Sequence, residues 1–202
     1  MSEFRYIKLG EKGCYAESCI LGQRTLPEGD CIRLGYESSD SPGIHEQCLR
    51  GNESDWEAVR KYWRDVRLRE GAKAQTVDRT ARNDVRQIAD FYTCESDTIW
   101  FTFFRGLLWW CKVERSVELL NDHTRIRKTI NGWQCNGGNG EQLRIETLDG
   151  RLTQLSAYQG TICTPSKHAT LYLDRKIRGE EDPDVIGAKK SLLELQGYVI
   201  KL

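Results

Sequence analysis

The sequence predicts an α+β protein on a small, strongly bent sheet or barrel, with two inserted helices and a helix at the C-terminal end. Three observations lead there. The stretch Asp97 to Val113, DTIWFTFFRGLLWWCKV, is two β-branched and aromatic runs split by Arg105-Gly106, the pattern of two strands joined by a tight turn. Two segments between 54 and 92 carry apolar residues at helical spacing. The remaining apolar residues sit in short alternating runs bounded by Gly, Asn and Asp, as the strands of a small sheet do.

Taken in order, Phe4–Leu9 alternates apolar with polar and predicts a first strand, broken by Gly10 and Gly13. A helical turn through Tyr15–Leu21 leads to a second strand, Cys31–Tyr36, and Glu37–Gly51 reads as loop. Ser54 with Glu57 three residues later has the form of a capping box. The helix behind it places Trp56, Val59, Trp63 and Val66 on one face and stops at Gly71. A second helix, Thr76–Tyr92, carries Ala81, Val85, Ile88 and Tyr92. After the aromatic hairpin, His123–Ile130 is an alternating, basic strand, turned at Asn131-Gly132-Trp133. The Gly/Asn loop at 135–140 lacks GxGxxG spacing and a following helix, so it is not a phosphate cradle. Further strands are expected at Gln142–Thr147 and Ala169–Ile177. Asp182-Pro183 opens a last helix with Val185, Ala188, Leu192 and Leu195 on one side. Residues 1–180 thus form one domain with a helical insert at about 54–92, and 181–202 a helix beginning a linker.

With 39% hydrophobic and 30% charged residues and a formal net charge of zero, the chain is ordinary globular material without a whole-molecule field for a polyanion. Any basic surface must be local. Residues 60–86 supply one, with nine Lys or Arg against four acids. The apolar part of the hairpin is too short and too interrupted to span a membrane, and the N-terminus lacks a signal-peptide core, so a cytoplasmic location is expected. The eight cysteines form no CxxC pair. Cys14-x4-Cys19 with Cys31, or His45-x2-Cys48, matches no usual zinc knuckle, and buried thiols are the expectation. No metal or cofactor is expected.

Catalytic motifs are lacking. The three histidines (45, 123 and 168) lie in no HExxH or HxE context, and Glu70-Gly-Ala-Lys73 stands between helices instead of on nuclease strands. Binding is better founded: Trp and Tyr backed by Arg and Lys suit a base taken out of its stack, with basic strands such as Arg125–Lys128 holding the flanking phosphates. Two rival classes stay open. One is a protein-interaction or oligomerisation module, the other a reader of single-stranded RNA.

The segments YIKLGEKG and CIRLGY at 6–36, DTIWFTFFRGLLWWCKV at 97–113, and RKTINGWQC with GRLTQLSAYQGTIC at 127–163 resemble the N-terminal region of prophage and defence-island proteins similar to Mrr-type restriction endonucleases. The hairpin also resembles the PUA-like superfamily, with its EVE, YTH and SRA modified-base readers. The resemblance implies a PUA-like barrel that binds DNA, methylated or hydroxymethylated, in an aromatic cage and directs a PD-(D/E)XK nuclease domain of the same polypeptide in bacterial anti-phage defence. It leaves a homodimer open. The implied cage is Trp100, Trp109, Trp110, Trp133 and Tyr158, with Asp97 capping the turn. Because strand faces alternate, Trp109 and Trp110 cannot enter one pocket. The phosphate-binding candidates are Arg105, Arg125, Arg127, Lys128, Arg79, Arg82 and Arg86.

Overall fold

The computed structural model describes residues 3–26, 28–36 and 42–180. The helix expected from Asp182 and the linker behind it lie outside these residues. The strands are β1 (Phe4–Ile7), β2 (Cys31–Leu34), β3 (Ile99–Phe104), β4 (Leu107–Val113), β5 (Glu118–Leu119), β6 (Arg125–Gln134) and β7 (Ile162–Cys163). The α-helices are α1 (Ala16–Leu21), α2 (Pro42–Arg50), α3 (Glu53–Arg69), α4 (Ala74–Thr93), α5 (Gly150–Thr153) and α6 (Lys167–Arg178).

The strands form one sheet in the order β2-β6-β4-β3-β1-β7, with β5 added on β6. All pairs are antiparallel except β1 with β3, which are parallel and joined through the long excursion that holds α1 to α4. Such a pair needs a crossover, and the helices supply it. The path has two ends, β2 and β7, and the sheet curls into a half-barrel; of the strongly bent sheet or barrel expected, the bent open sheet is what forms. Part of the bend is built into β6. Trp110 faces Gln134 and Lys112 faces Ile130, so a short span of β4 is matched by a longer span of β6. The extra residues include Asn131 (φ 65°) and Gly132 (φ 76°), an insertion of the kind that increases local twist. The turn expected there is a kink inside a strand. The hairpin turn falls as predicted, with Arg105 (φ 49°) and Gly106 (φ 74°) both left-handed, the geometry that matches strand twist.

Two apolar layers cover the two faces. On one face, Val59 and Trp63 of α3 and Ile88 and Phe91 of α4 pack with Ile7, Ile32, Trp100, Val113 and Trp133 of the strands. The other face packs Phe4, Tyr6, Phe101 and Leu108 against Leu152, Tyr172 and Leu173. Successive residues of β3 alternate between the layers, Trp100 inward to the first and Phe101 to the second. Six of the eight thiols are buried in these layers or beside them. No helix among the described residues is long and apolar enough to cross a membrane.

The helical hairpin of α3 and α4 stands where the periodicity placed it, but it starts earlier. Asn52 is the N-cap, its side-chain oxygen accepting from Asp55 N–H at 2.9 Å, and Ser54 instead donates to Asn52. Two segments change type. The expected loop contains α2, whose buried Ile44 and Cys48 are one helical turn apart. Ala169–Ile177, expected as a strand, is α6. Ser166 caps its start by accepting from Ala169 N–H, Gly179 (φ 74°) ends it, and Ala169, Tyr172 and Leu173 face the core. Gln142–Thr147 holds two isolated bridges, Gln142 with Asn136 and Arg144 with Leu107, followed by one 3-10 turn, and is not a strand.

Candidate functional site

The expected cage does not assemble. Trp100 is wholly buried, and Trp133 keeps 9% of its surface, its indole N–H donating to the Cys31 carbonyl at 3.1 Å. Trp109 shares the face of Trp100, half-buried, and donates to the Phe104 carbonyl at 3.2 Å. Trp110 packs on the opposite face and donates to the Asn136 carbonyl at 3.0 Å. Tyr158 also lies on that second face, edge-on to Tyr6, its hydroxyl 3.4 Å from the Ile162 carbonyl. Asp97 is exposed on the turn before β3. Alternation along β3 and β4 splits the rings between two layers, and each layer has its own cover. Trp100 and Trp133 are therefore core residues, not cage walls.

The basic strand is corrected in the same way. Arg127 is 0% exposed and donates through Nε to the Glu114 carbonyl at 2.8 Å and through Nη1 to the Phe91 carbonyl at 3.0 Å. No carboxylate pairs with it among the described residues, and burial pushes its pKa down to about 10. Arg125 is buried as well, bonded to the Tyr92 hydroxyl and to the carbonyls of Tyr36 and His123. Neither can reach a phosphate. Lys128 donates to the carbonyls of Leu26 and Gly29, which ties β6 to the loop before β2. Arg105 is exposed at the hairpin tip, ion-paired with Glu17 and stacked over Phe104.

Arg79, Arg82 and Arg86 are placed differently. They share one exposed face of α4, and no carboxylate among the described residues pairs with them. At 1.5 Å per residue they span about 10 Å of helix. Asn83, Asp84 and Gln87, beside them on the same helix, line a cleft of about 1450 Å³.

The cleft lies where the ends of β1 and β2 meet the helical hairpin. Its near wall is the loop after β1, with Gly10 (φ 81°), Lys12 (φ 52°) and Gly13 (φ 78°) in left-handed conformations. Tyr15 N–H donates to the Leu9 carbonyl and closes this loop. A Cβ at Gly10 would stand 2.6 Å from the Tyr15 ring, so only glycine lets that ring lie down there. Arg33 sits over Tyr15 at 4.0 Å and fixes it further. Tyr36, just past β2, meets Trp63 of α3 edge-on at 5.0 Å. Lys8, Lys12 and Arg67 supply positive charge to the cleft, against Glu11, Glu70 and Asp84.

Polar bonds set the floor. Gln87 is buried, and its side-chain oxygen accepts from Thr161 N–H at 2.6 Å and Ile162 N–H at 2.8 Å, which joins α4 to β7. Asp84 accepts from Arg67 Nε at 2.7 Å and from the Tyr36 hydroxyl at 3.3 Å. Burial, then the Asp84 charge, pushes the Tyr36 phenol well above its ordinary value, so it keeps its proton and donates. The Asp84 carboxylate raises Arg67 in turn.

The sequence reading passed over this cleft. One signal was present: Asp84 and Gln87 stand in the buried stripe of α4 with Val77, Ala81, Ile88 and Phe91, and a polar pair inside an apolar stripe needs partners. No protein-family model, no curated protein and no solved structure matches this chain.

Proposed function

We propose that the chain is a DNA-reading module that takes a flipped or modified base into the cleft between the loop after β1 and the α3–α4 hairpin. The phosphates run along Arg79, Arg82 and Arg86, and cleavage belongs to a nuclease domain that the module directs. The observation that carries the reading is the contiguity of two surfaces on α4. One face bears three arginines without carboxylate partners among the described residues, and the adjoining residues enter a cleft walled by Tyr15, Tyr36 and Trp63. The cleft is roomy enough: a cavity of about 150 Å³ already holds a benzene ring. Stacking on an aromatic face is worth about 1–3 kcal/mol per base, which offsets the few kcal/mol lost in unstacking a nucleotide. The ridge adds affinity without sequence choice.

An electrophoretic panel of matched plain, methylated, hydroxymethylated and glucosylated duplexes, with single-stranded DNA and RNA counterparts, tests the reading. Binding that falls steeply with salt, with a log–log slope reduced by about 2–3 in the Arg79→Ala, Arg82→Ala, Arg86→Ala triple variant, is the expected result. Salt-independent binding, or a slope unchanged in the variant, would transfer the role to a protein-interaction surface.

A further inference from the structure

Resting on the reading of the cleft as a base site, its size and its rings bear on how many bases enter. The cleft holds about 1450 Å³, more than the roughly 300–1,000 Å³ of a site that encloses one drug-sized ligand. It passes over the end of the sheet, so both apolar layers contribute half-buried rings to its lining. Tyr15 and Tyr36 belong with the first layer. Phe103 belongs with the second, its ring 5.9 Å from that of Tyr6. Lys8 stands between the two sets. β1 and β3 run parallel with Tyr6 level with Phe101, and the same register carried on by two residues sets Lys8 beside Phe103. On its other side Leu9 accepts from Tyr15 N–H at 3.0 Å. Lys8 is half-buried and, like the exposed Lys12 beyond it, makes no ion pair among the described residues. Glu11, exposed on the same loop, offsets part of their charge. Arg67, by contrast, is already engaged by Asp84 and Glu70 at 2.7 Å each. Thr161 ties Lys8 to the arginine ridge: its carbonyl accepts from Lys8 N–H at 2.8 Å, and its own N–H donates to Gln87, the neighbour of Arg86. A strand that follows the ridge past Arg86 therefore meets Lys8 next.

Two sets of rings with a cation between them are complementary to two bases joined by one phosphodiester. Every base has a π-face, so such stacking is tolerant of sequence, and a lysine serves a phosphate as a point charge. A lone base on either set would leave the other rings and the lysine facing water. We infer that the cleft takes two adjacent unpaired nucleotides of one DNA strand. One base lies against the Tyr15–Tyr36 wall, the next against Phe103, and Lys8 holds the phosphate that joins them.

Probes of constant length and charge count the bases. Fluorescein-labelled 12-mers are built from abasic tetrahydrofuran nucleotides with no thymine, one, two adjacent or three adjacent thymines at the centre. Each is titrated against the whole chain at low salt. The expected result is binding tightened about tenfold by the first thymine and about tenfold again by the second, but less than about threefold by the third. A neutral methylphosphonate between the two thymines weakens binding about threefold in the unaltered chain and leaves it unchanged in Lys8→Met. Phe103→Leu, which keeps an apolar side chain and removes the ring face, abolishes the second step and keeps the first. The base count on the unaltered chain stands by itself if a variant does not fold. A single step, or a third as large as the second, would overturn the two-base inference and leave the cleft reading intact. A methylphosphonate loss that persists in a folded Lys8→Met would overturn the role of Lys8, and a second step that persists in a folded Phe103→Leu would overturn that of Phe103. Equal binding of all four probes, or binding of none, would overturn the inference and the cleft reading together.

Discussion

Trp100→Ala separates a core residue from a cage residue. The indole is wholly buried, opposite Arg5 of β1 and Cys111 of β4, with the Phe91 ring 6.2 Å away from below. Truncating a sealed indole costs about 3–5 kcal/mol, transfer and residual cavity together. With a urea m-value of roughly 2 kcal/mol per molar, the midpoint of unfolding should fall by about 1.5–2.5 M. On a scale of about 2–4 °C per kcal/mol for a chain of this length, the melting temperature should drop by roughly 6–20 °C. The indole N–H makes no hydrogen bond among the described residues. Trp100→Phe thus removes an unpaired buried donor, whose desolvation costs about 1–3 kcal/mol, and that relief offsets part of the lost ring volume. Its net cost should stay below about 2 kcal/mol. Urea titration by circular dichroism on the two variants measures both. A Trp100→Ala variant with an unaltered midpoint and abolished nucleic-acid binding would refute the reasoning, because a ring that can be deleted without cost is not sealing a core.

Two further predictions concern the helices. Asn52→Ala should cost about 1 kcal/mol, while Ser54→Ala changes stability by less than about 0.5 kcal/mol, since Asn52 and not Ser54 accepts from the Asp55 N–H in the first turn of α3; thermal melts distinguish them. His45 of α2 is buried, 2.7 Å from the Tyr92 hydroxyl, and burial followed by the Arg125 charge lowers its pKa, with Glu46 acting weakly the other way. The unfolded chain takes up a proton near pH 6.5 that the folded chain resists, so this residue makes stability fall as the pH drops below about 6.5. His45→Gln should flatten that part of the stability–pH profile, and an unchanged slope between pH 6.5 and 5 would count against it.

What could be read from the sequence was the part with strong local period. The 97–113 hairpin, its turn, and the stripes of α3 and α4 need only neighbours in sequence to declare themselves. Segment type failed where a short apolar pattern fits both periods. Ala169, Leu171 and Leu173 alternate as a strand would, yet Ala169, Tyr172 and Leu173 make a helical face, and Ser166 and Gly179 decide it by capping. The placement of charge failed for a different reason. Alternation along β6 marks which residues point inward, but nothing local says that carbonyls of Glu114 and Phe91 wait for Arg127. The cleft is built from six separate stretches, β1 with the loop after it, the end of β2, two helix faces, Thr102-Phe103 of β3 and the segment Ser156–Thr161 before β7, and their meeting is a tertiary fact.

Photo-cross-linking tests the position of the base most directly. An oligonucleotide with one 5-iodocytosine, irradiated in complex with the chain and mapped by mass spectrometry, should attach to peptides carrying Tyr15, Tyr36 or Trp63. Attachment instead at Trp109 or Trp110 would return the base to the aromatic hairpin and contradict the cleft.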